Sequence, residues 1–263
     1  MLTEITLGQY VPGSSFLHRL DPRTKIGLTT AFVVLMFLIQ TWWGFVVGAA
    51  MVAAAVAVAH LSPRWVLRGL RPIVVLIAIS SVLNAFWTEG HTIWQWGPLR
   101  LTAEGLNRAG LMGVRLILLV AGASILTLTT SPIDLTDGLE RLMSPGKRFG
   151  FPAHELAMMM TIALRFVPTL IEEADRIMKA QMARGAAFDR GGMLARARAL
   201  VPLLVPLFVS AFRRADELAL AMESRCYRGG EGRTRLRQLR MHARDWATLA
   251  AFLVAAAGVS VWL

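Results

Sequence analysis

Residues 26–59 read IGLTTAFVVLMFLIQTWWGFVVGAAMVAAAVAVA, from Ile26 to Ala59, without a formal charge. As a single helix at ~1.5 Å per residue the stretch would be about 50 Å long, whereas a hydrocarbon core is only ~30 Å thick. It therefore reads as two spans. The polar pair Gln40-Thr41, followed by Trp42-Trp43, marks the turn between them, because indole rings prefer the lipid–water boundary. The flanks agree. The basic stretch His18 to Lys25 and the loop His60 to Arg71, with Arg64, Arg68 and Arg71, both belong on the cytoplasmic side, and only an even number of crossings between them allows that.

The rest of the chain extends this pattern. Hydrophobic residues make up 55% of it and the mean hydropathy is +0.53, well above the roughly 45–50% apolar content of a soluble domain. It is an integral membrane protein. Asp21-Pro22 suits the start of the first span, since Asp accepts from free N–H groups as N-cap and Pro at the next position gives up no needed donor. Pro72 to Trp87 forms a third, outward crossing. The loop Thr88 to Arg108 balances Glu89 and Glu104 against Arg100 and Arg108, as an external loop can. Ala109 to Thr130 returns as the fourth span, and Trp246 to Leu263 is the fifth, which leaves the C-terminus external. Met1 to Leu17 is mixed and polar, without the pattern of a cleavable signal peptide, so the N-terminus is expected in the cytoplasm. Cys226 is the single cysteine; it has no disulfide partner in the chain and no metal-ligand spacing around it.

Between Ser131 and Arg244 the character changes. That stretch holds 19 Lys+Arg against 12 Asp+Glu, so 19 − 12 = +7 of the net charge of +11 lies there. Concentrated in this way, the charge orients a membrane chain rather than forming a nucleic-acid surface. Leu156 to Leu164 and Ala199 to Phe212 are apolar, but at nine and fourteen residues they fall below the ~17 needed to cross, and the second contains Pro202 and Pro206. They read as apolar parts of long amphipathic helices. On the first, Leu156, Met159, Ala163, Phe166, Leu170, Ala174, Ile177 and Gln181 recur at intervals of three and four. A shorter helix from Ile133 to Leu142 precedes it, started by Ser131-Pro132 and stopped by Ser144-Pro145-Gly146. The fold class expected is all-α and polytopic, with about five transmembrane helices and a cytoplasmic module of long amphipathic helices. Its divisions fall at 1–130, 131–244 and 245–263.

The module contains a repeat. Asp175 precedes Arg184 by 184 − 175 = 9 positions, and Asp216 precedes Arg225 by 225 − 216 = 9. Each Arg closes an amphipathic run and is followed by a break: Gly185 in one case, Tyr227-Arg228-Gly229-Gly230 in the other. A guanidinium in that place can form a forked, charge-assisted pair with a partner carboxylate. A single such Arg would be explained by its favourable position against the helix dipole. Two at matched positions suggest a two-pronged connector. Met158, Met159, Met160, Met178, Met182 and Met222 could line an adaptable docking surface, or simply pack on helical faces. Ionisable groups are nearly absent from the spans. The exception is Arg115, expected to snorkel to the outer boundary or to pair inside a complex. No two of the five histidines lie on facing spans, no Gly-x-x-x-x-Gly-Lys-Ser/Thr loop is present, and no nucleophile–base set emerges, so an enzymatic role is not expected.

Three features together resemble a known family: His18-Arg19-Leu20-Asp21-Pro22-Arg23-Thr24-Lys25 before the first span, four spans followed by a long helical segment, and the pair Ala183-Arg184-Gly185 and Ser224-Arg225-Cys226. The family is the transmembrane coupling subunit, or T component, of energy-coupling factor transporters, and the resemblance covers essentially the whole chain. It implies a non-catalytic scaffold in a prokaryotic inner membrane, linking two cytoplasmic ABC ATPases, identical or different, to a membrane substrate-binding S component. ATP and Mg would be bound by the ATPases and no cofactor by this chain; the cargo would be a vitamin or other micronutrient, metal ions included. Carried over by position, Ala183, Arg184 and Gly185 form the first ATPase-binding prong and Ser224, Arg225 and Cys226 the second. The second departs from the family's usual Ala-Arg-Gly at both flanks, which removes the glycine that would permit a backbone turn there. Asp175 and Asp216, about two and a half turns before their arginines, would brace the crossing of the two helices. Two other readings stay open. A stand-alone secondary carrier or channel needs midplane charges or broken spans, and a membrane-anchored interaction protein would lay its basic helices on anionic lipid.

Overall fold

Asp21 begins the first helix as its position in the sequence foretells. Its side chain accepts from the Arg23 N–H at 2.9 Å, Pro22 occupies the first turn, and α1 runs over Pro22–Leu38. The computed structural model describes residues 10–96, 99–186, 192–229 and 239–261. The chain then turns through Ile39 and Gln40-Thr41 into α2 (Trp42–Val58), so the uncharged opening stretch is two helices. After a tight reversal in which His60 takes a positive φ of 51°, the segment expected as a basic loop is instead mostly helical, as α3 (Pro63–Leu70). The reason is local. Pro63 follows Ser62 at the first turn, Val66 is buried, and Arg68 stacks over the Trp65 ring with 4.7 Å to its centroid, so the basic residues lie on one side of an amphipathic helix. A 3-10 turn over Arg71–Ile73 leads directly into α4 (Val74–Trp87).

A short antiparallel hairpin, β1 (Thr92–Trp96) and β2 (Leu99–Thr102), pairs Thr92 with Thr102 and Trp96 with Leu99 in the segment read as an external loop. α5 (Ala103–Thr129) follows at once, beginning before the expected Ala109 because the Thr102 hydroxyl accepts from the Gly105 N–H at 3.0 Å and caps it. α6 (Pro132–Met143) comes next, then α7 (Ala153–Ala183), α8 (Met193–Ser224) and α9 (Ala243–Val261). Apart from the hairpin the described chain is all-α. Pro63–Trp87, Ala103–Thr129 and Ala153–Ala183 are long and apolar enough to cross a membrane, and Trp42–Val58 is apolar but shorter. The third contains the nine-residue apolar run Leu156 to Leu164 within a helix of 31 residues. Phe166 to Ile171 extends the apolar run beyond Arg165, and charge becomes dense only from Glu172 onward.

The chain divides into two compact units, one from Gly8–Arg141 with Leu239–Leu263 and the other from Leu142–Gln238. The C-terminal helix therefore joins the N-terminal spans, through packing of α9 on α1, and the boundaries fall beyond 131 and before 245. In the first unit Phe32, Leu35, Met36, Ile39, Phe45 and Leu118 form one core cluster, and Ala59, Leu61, Val66, Ala121 and Leu128 a second. Helices approach closely where side chains are small. A Cβ on Gly105 would stand 2.6 Å from the Ala85 carbonyl oxygen, so α5 can meet α4 there only as glycine. Around these cores α4 exposes Val74, Val75, Leu76, Ile79 and Val82, a surface suited to lipid rather than water.

Arg115 has a defined role in this unit. Its Nη2 donates to the Ile39 carbonyl at 2.6 Å, where α1 has ended, and its guanidinium lies 5.5 Å from the Phe45 ring centroid. The charge thus satisfies a helix-end acceptor at the turn between the first two spans.

The His18–Lys25 stretch is likewise a junction more than a solvated flank. Asp245, 1% exposed, accepts from the Asp21 N–H and the His242 N–H, both at 2.8 Å. Lys25 donates to the carbonyls of Thr129 (2.9 Å) and His18 (3.2 Å), Arg23 to that of Leu239 (3.1 Å), and Arg244 to that of Arg19 (2.8 Å). The start of α1, the end of α5 and the start of α9 are tied at one point. Sequence reading missed this because the partners Asp21 and Asp245 are 224 residues apart.

Candidate partner-coupling site

The second unit is built on α7 and α8, of 31 and 32 residues. Gln181 on α7 approaches Pro202 on α8, and Glu173 meets Ser210 and Arg214, so rising numbers on one helix meet falling numbers on the other and the pair is antiparallel. Three prolines lie inside these helices: Pro168, Pro202 and Pro206. Each lacks the N–H that would close a turn. Pro206 thereby leaves the Pro202 carbonyl without its helical donor, and the Gln181 amide stands 3.5 Å from that oxygen.

The contact between the helices centres on Glu173. The Ser210 hydroxyl donates to one of its oxygens and the Arg214 guanidinium to the other at 2.8 Å. The Ser210 bond first, and then the Arg214 charge, hold the carboxyl below its ordinary value of 4.5 against an opposing cost of desolvation. Asp175, the residue expected to brace the crossing, pairs instead with Lys179 on its own helix at 2.6 Å, and Asp216 makes no ion pair with a described residue. The signal for Glu173 was present in the sequence: it is an acid on the apolar stripe of Phe166, Leu170, Ile177 and Gln181, where an unpaired charge would be costly.

Both helices end alike. Arg184 is the C-cap of α7; beyond it the Gly185 N–H donates to Met182 O and the Ala186 N–H to Gln181 O, both at 3.0 Å. Arg225 is the C-cap of α8; beyond it the Cys226 N–H donates to Glu223 O at 2.8 Å and the Tyr227 N–H to Met222 O at 3.1 Å. The two patterns are the same Schellman closure. Gly185 takes a φ of +91° and Cys226 a φ of +57°. The second end therefore makes the turn without glycine, at a cost of roughly 1–2 kcal/mol for a residue bearing a Cβ. The missing glycine changes the energy of the turn and leaves its shape intact.

Ala183, Arg184, Gly185, Ser224, Arg225 and Cys226 are all exposed. The structure does not bring the two triplets together. Gln181 lies opposite Pro202, and Ser224 is 224 − 202 = 22 residues further on, so the tips are on the order of 33 Å apart at ~1.5 Å per residue. After the second turn the Tyr227 hydroxyl comes within 3.4 Å of Nε2 of the buried His154, at the beginning of α7. Of the methionines, Met159, Met160 and Met182 are exposed, and Met158, Met178 and Met222 are partly buried.

Comparison with known proteins agrees with this architecture. A family model described as cobalt transport protein (CbiQ) matches residues 13–236. The chain is 60% identical to the energy-coupling factor transporter transmembrane protein of Thermosediminibacter oceani, over 96% of this chain and 94% of that protein. It is 54% identical to the protein of the same name from Ruminiclostridium cellulolyticum (93% and 92% covered), and 45% identical to that from Listeria innocua (100% and 99%). The chain belongs to the family of energy-coupling factor transporter transmembrane proteins, multi-pass membrane components of transporters.

Proposed function

We propose that this chain is the non-catalytic coupling subunit of an ATP-driven importer, with Arg184 and Arg225 each seated on one of two cytoplasmic ABC ATPases. The observation that carries this is the pair of matched helix ends: identical turns, each holding an exposed Arg at its C-cap, at opposite ends of one antiparallel pair. An exposed guanidinium on a fixed turn suits bidentate capture of carboxylates, and a separation on the order of 33 Å suits two bodies rather than one. Ala183, Gly185, Ser224 and Cys226 shape the turns around the two contacts. ATP and Mg are bound by the ATPases. When these close on ATP they displace the two tips, and the Glu173 crossing passes the displacement along α7 and α8. The exposed apolar face of α8, including Leu204, Val205, Phe208 and Phe212, receives a membrane substrate-binding S component. That component selects the cargo, a vitamin or other micronutrient, metal ions included. The chain sits in a prokaryotic inner membrane with its N-terminus and coupling helices cytoplasmic and its C-terminus external.

The test is assembly. Arg184→Glu combined with Arg225→Glu is expected to abolish co-purification with the ATPases in mild detergent while the protein still inserts in the membrane and keeps its Tm. Assembly retained by a folded double variant would refute the assignment.

A further inference from the structure

A cavity of ≈ 360 Å³ opens within the first unit among α1, α2, α5 and α9, at the end of the bundle where α1 begins and α5 finishes. Its wall is apolar, with Leu28, Phe32, Val52, Ala55, Ile125 and Phe252 as main contributors. The polar groups in it are largely committed elsewhere. The Thr129 hydroxyl donates to Ile125 O, the Thr248 hydroxyl to Arg244 O, both at 2.7 Å, and Lys25 to two carbonyls; Thr29 adds one hydroxyl. A water cluster filling this volume would find few partners, and apolar cavities of this kind stay dry and accept apolar guests.

The charge at the rim says which guest. Arg19 directly precedes the wall residue Leu20 and Arg244 stands one helical turn before the wall residue Thr248; both are exposed, and Arg244 Nη2 donates to the Arg19 carbonyl at 2.8 Å, which brings the Arg244 guanidinium against the Arg19 backbone. The carboxylates nearby are turned inward. Asp245 and Asp21 are buried and accept from backbone N–H groups, and together with Asp134 they lie within Coulombic reach of buried Lys25. An apolar slot inside a lipid-facing bundle, with two exposed arginines next to its wall residues, is complementary in charge and polarity to an anionic lipid. We propose that the cavity holds an acyl chain of an anionic phospholipid whose phosphate rests on Arg19 and Arg244.

The experiment is native mass spectrometry of the full chain released from nanodiscs of equal phosphatidylglycerol and phosphatidylcholine. One phospholipid per chain is expected to remain, with retained phosphatidylglycerol exceeding retained phosphatidylcholine by about thirtyfold, as two cationic contacts near the surface would give. Ala55→Phe, which fills the slot, should remove the retained lipid. Arg19→Gln with Arg244→Gln should keep a retained lipid but return its headgroup ratio to that of the bulk. Because the two variants act on different parts of the lipid, misfolding of one leaves the other decisive. No retained lipid on the unaltered chain, a mixture without headgroup preference, or unchanged retention in folded Ala55→Phe would overturn the proposal.

Discussion

Asp245→Ala probes how the membrane unit is tied together. Asp245 gives both oxygens to backbone donors, Oδ1 to the Asp21 N–H and Oδ2 to the His242 N–H, and the first of these bonds is buried. Truncation leaves the Asp21 N–H buried without an acceptor, which costs about 1–3 kcal/mol, and loses a second, partly buried bond worth about 1 kcal/mol. It also removes one of three carboxylates near buried Lys25. The expected loss is about 2–4 kcal/mol. At about 2–4 °C per kcal/mol for a chain of this size, Tm should fall by roughly 5–15 °C. Thermal unfolding in mild detergent, followed through the fluorescence of the eight tryptophans, reads this directly. Glu172→Ala, an exposed charge on α7, serves as the control and should shift stability by less than about 0.5 kcal/mol. A Tm for Asp245→Ala within about 2 °C of the unaltered chain would refute the reasoning, since a buried donor cannot lose its acceptor without penalty.

Other expectations follow from the same contacts. Cys226→Gly should raise stability by about 1 kcal/mol, because it keeps the turn at φ +57° and removes its strain, and it should leave assembly with partners unchanged; the Tm and a pull-down check both. Arg115→Ala should cost about 1.5–3 kcal/mol by stripping the charged donor from Ile39 O, with Arg115→Lys in between, as measured by thermal unfolding. A double-mutant cycle on Glu173→Gln and Arg214→Gln should return a coupling below about 1 kcal/mol, since both side chains are partly exposed. The Glu173 carboxyl titrates below 4.5, so its ionised form contributes above that pH and is lost only as pH falls through the lowered value; the cycle should vanish in acid and be constant from pH 6 to 8.

Much of this was readable in the chain because it rests on local rules. The uncharged run from Ile26 to Ala59 exceeds a bilayer, Gln40-Thr41 interrupts it, and Asp21-Pro22 caps it, so the first two helices fall where those residues place them. The C-caps at Arg184 and Arg225 are also local, each following an amphipathic run and preceding a break. What escaped was long-range or depended on competition between rules. The Asp245–Asp21 tie joins opposite ends of the chain. The hairpin lies inside a stretch whose balanced charge suits a loop, although Thr92-Ile93-Trp94-Gln95-Trp96 is rich in β-forming residues. α3 lies in a stretch expected as a basic loop, because charge alone does not show that Arg64 and Arg68 share one face of a helix while Val66 is buried. Cys226 in a left-handed turn defeats the usual dependence on glycine, since hydrogen bonds to Glu223 O and Met222 O hold the turn against its strain.

The central claim is that ATPase closure moves the two arginine tips. Spin labels at Met182 and Glu223, on a chain carrying Cys226→Gly and assembled with its ATPases, report the distance between the ends of α7 and α8 by double electron–electron resonance. The unliganded complex should give a distribution near 33 Å, as the ~1.5 Å rise per residue implies, and a non-hydrolysable ATP analogue should shift it to shorter values. A distribution that stays the same with and without the nucleotide, in a complex shown to bind it, would contradict the account.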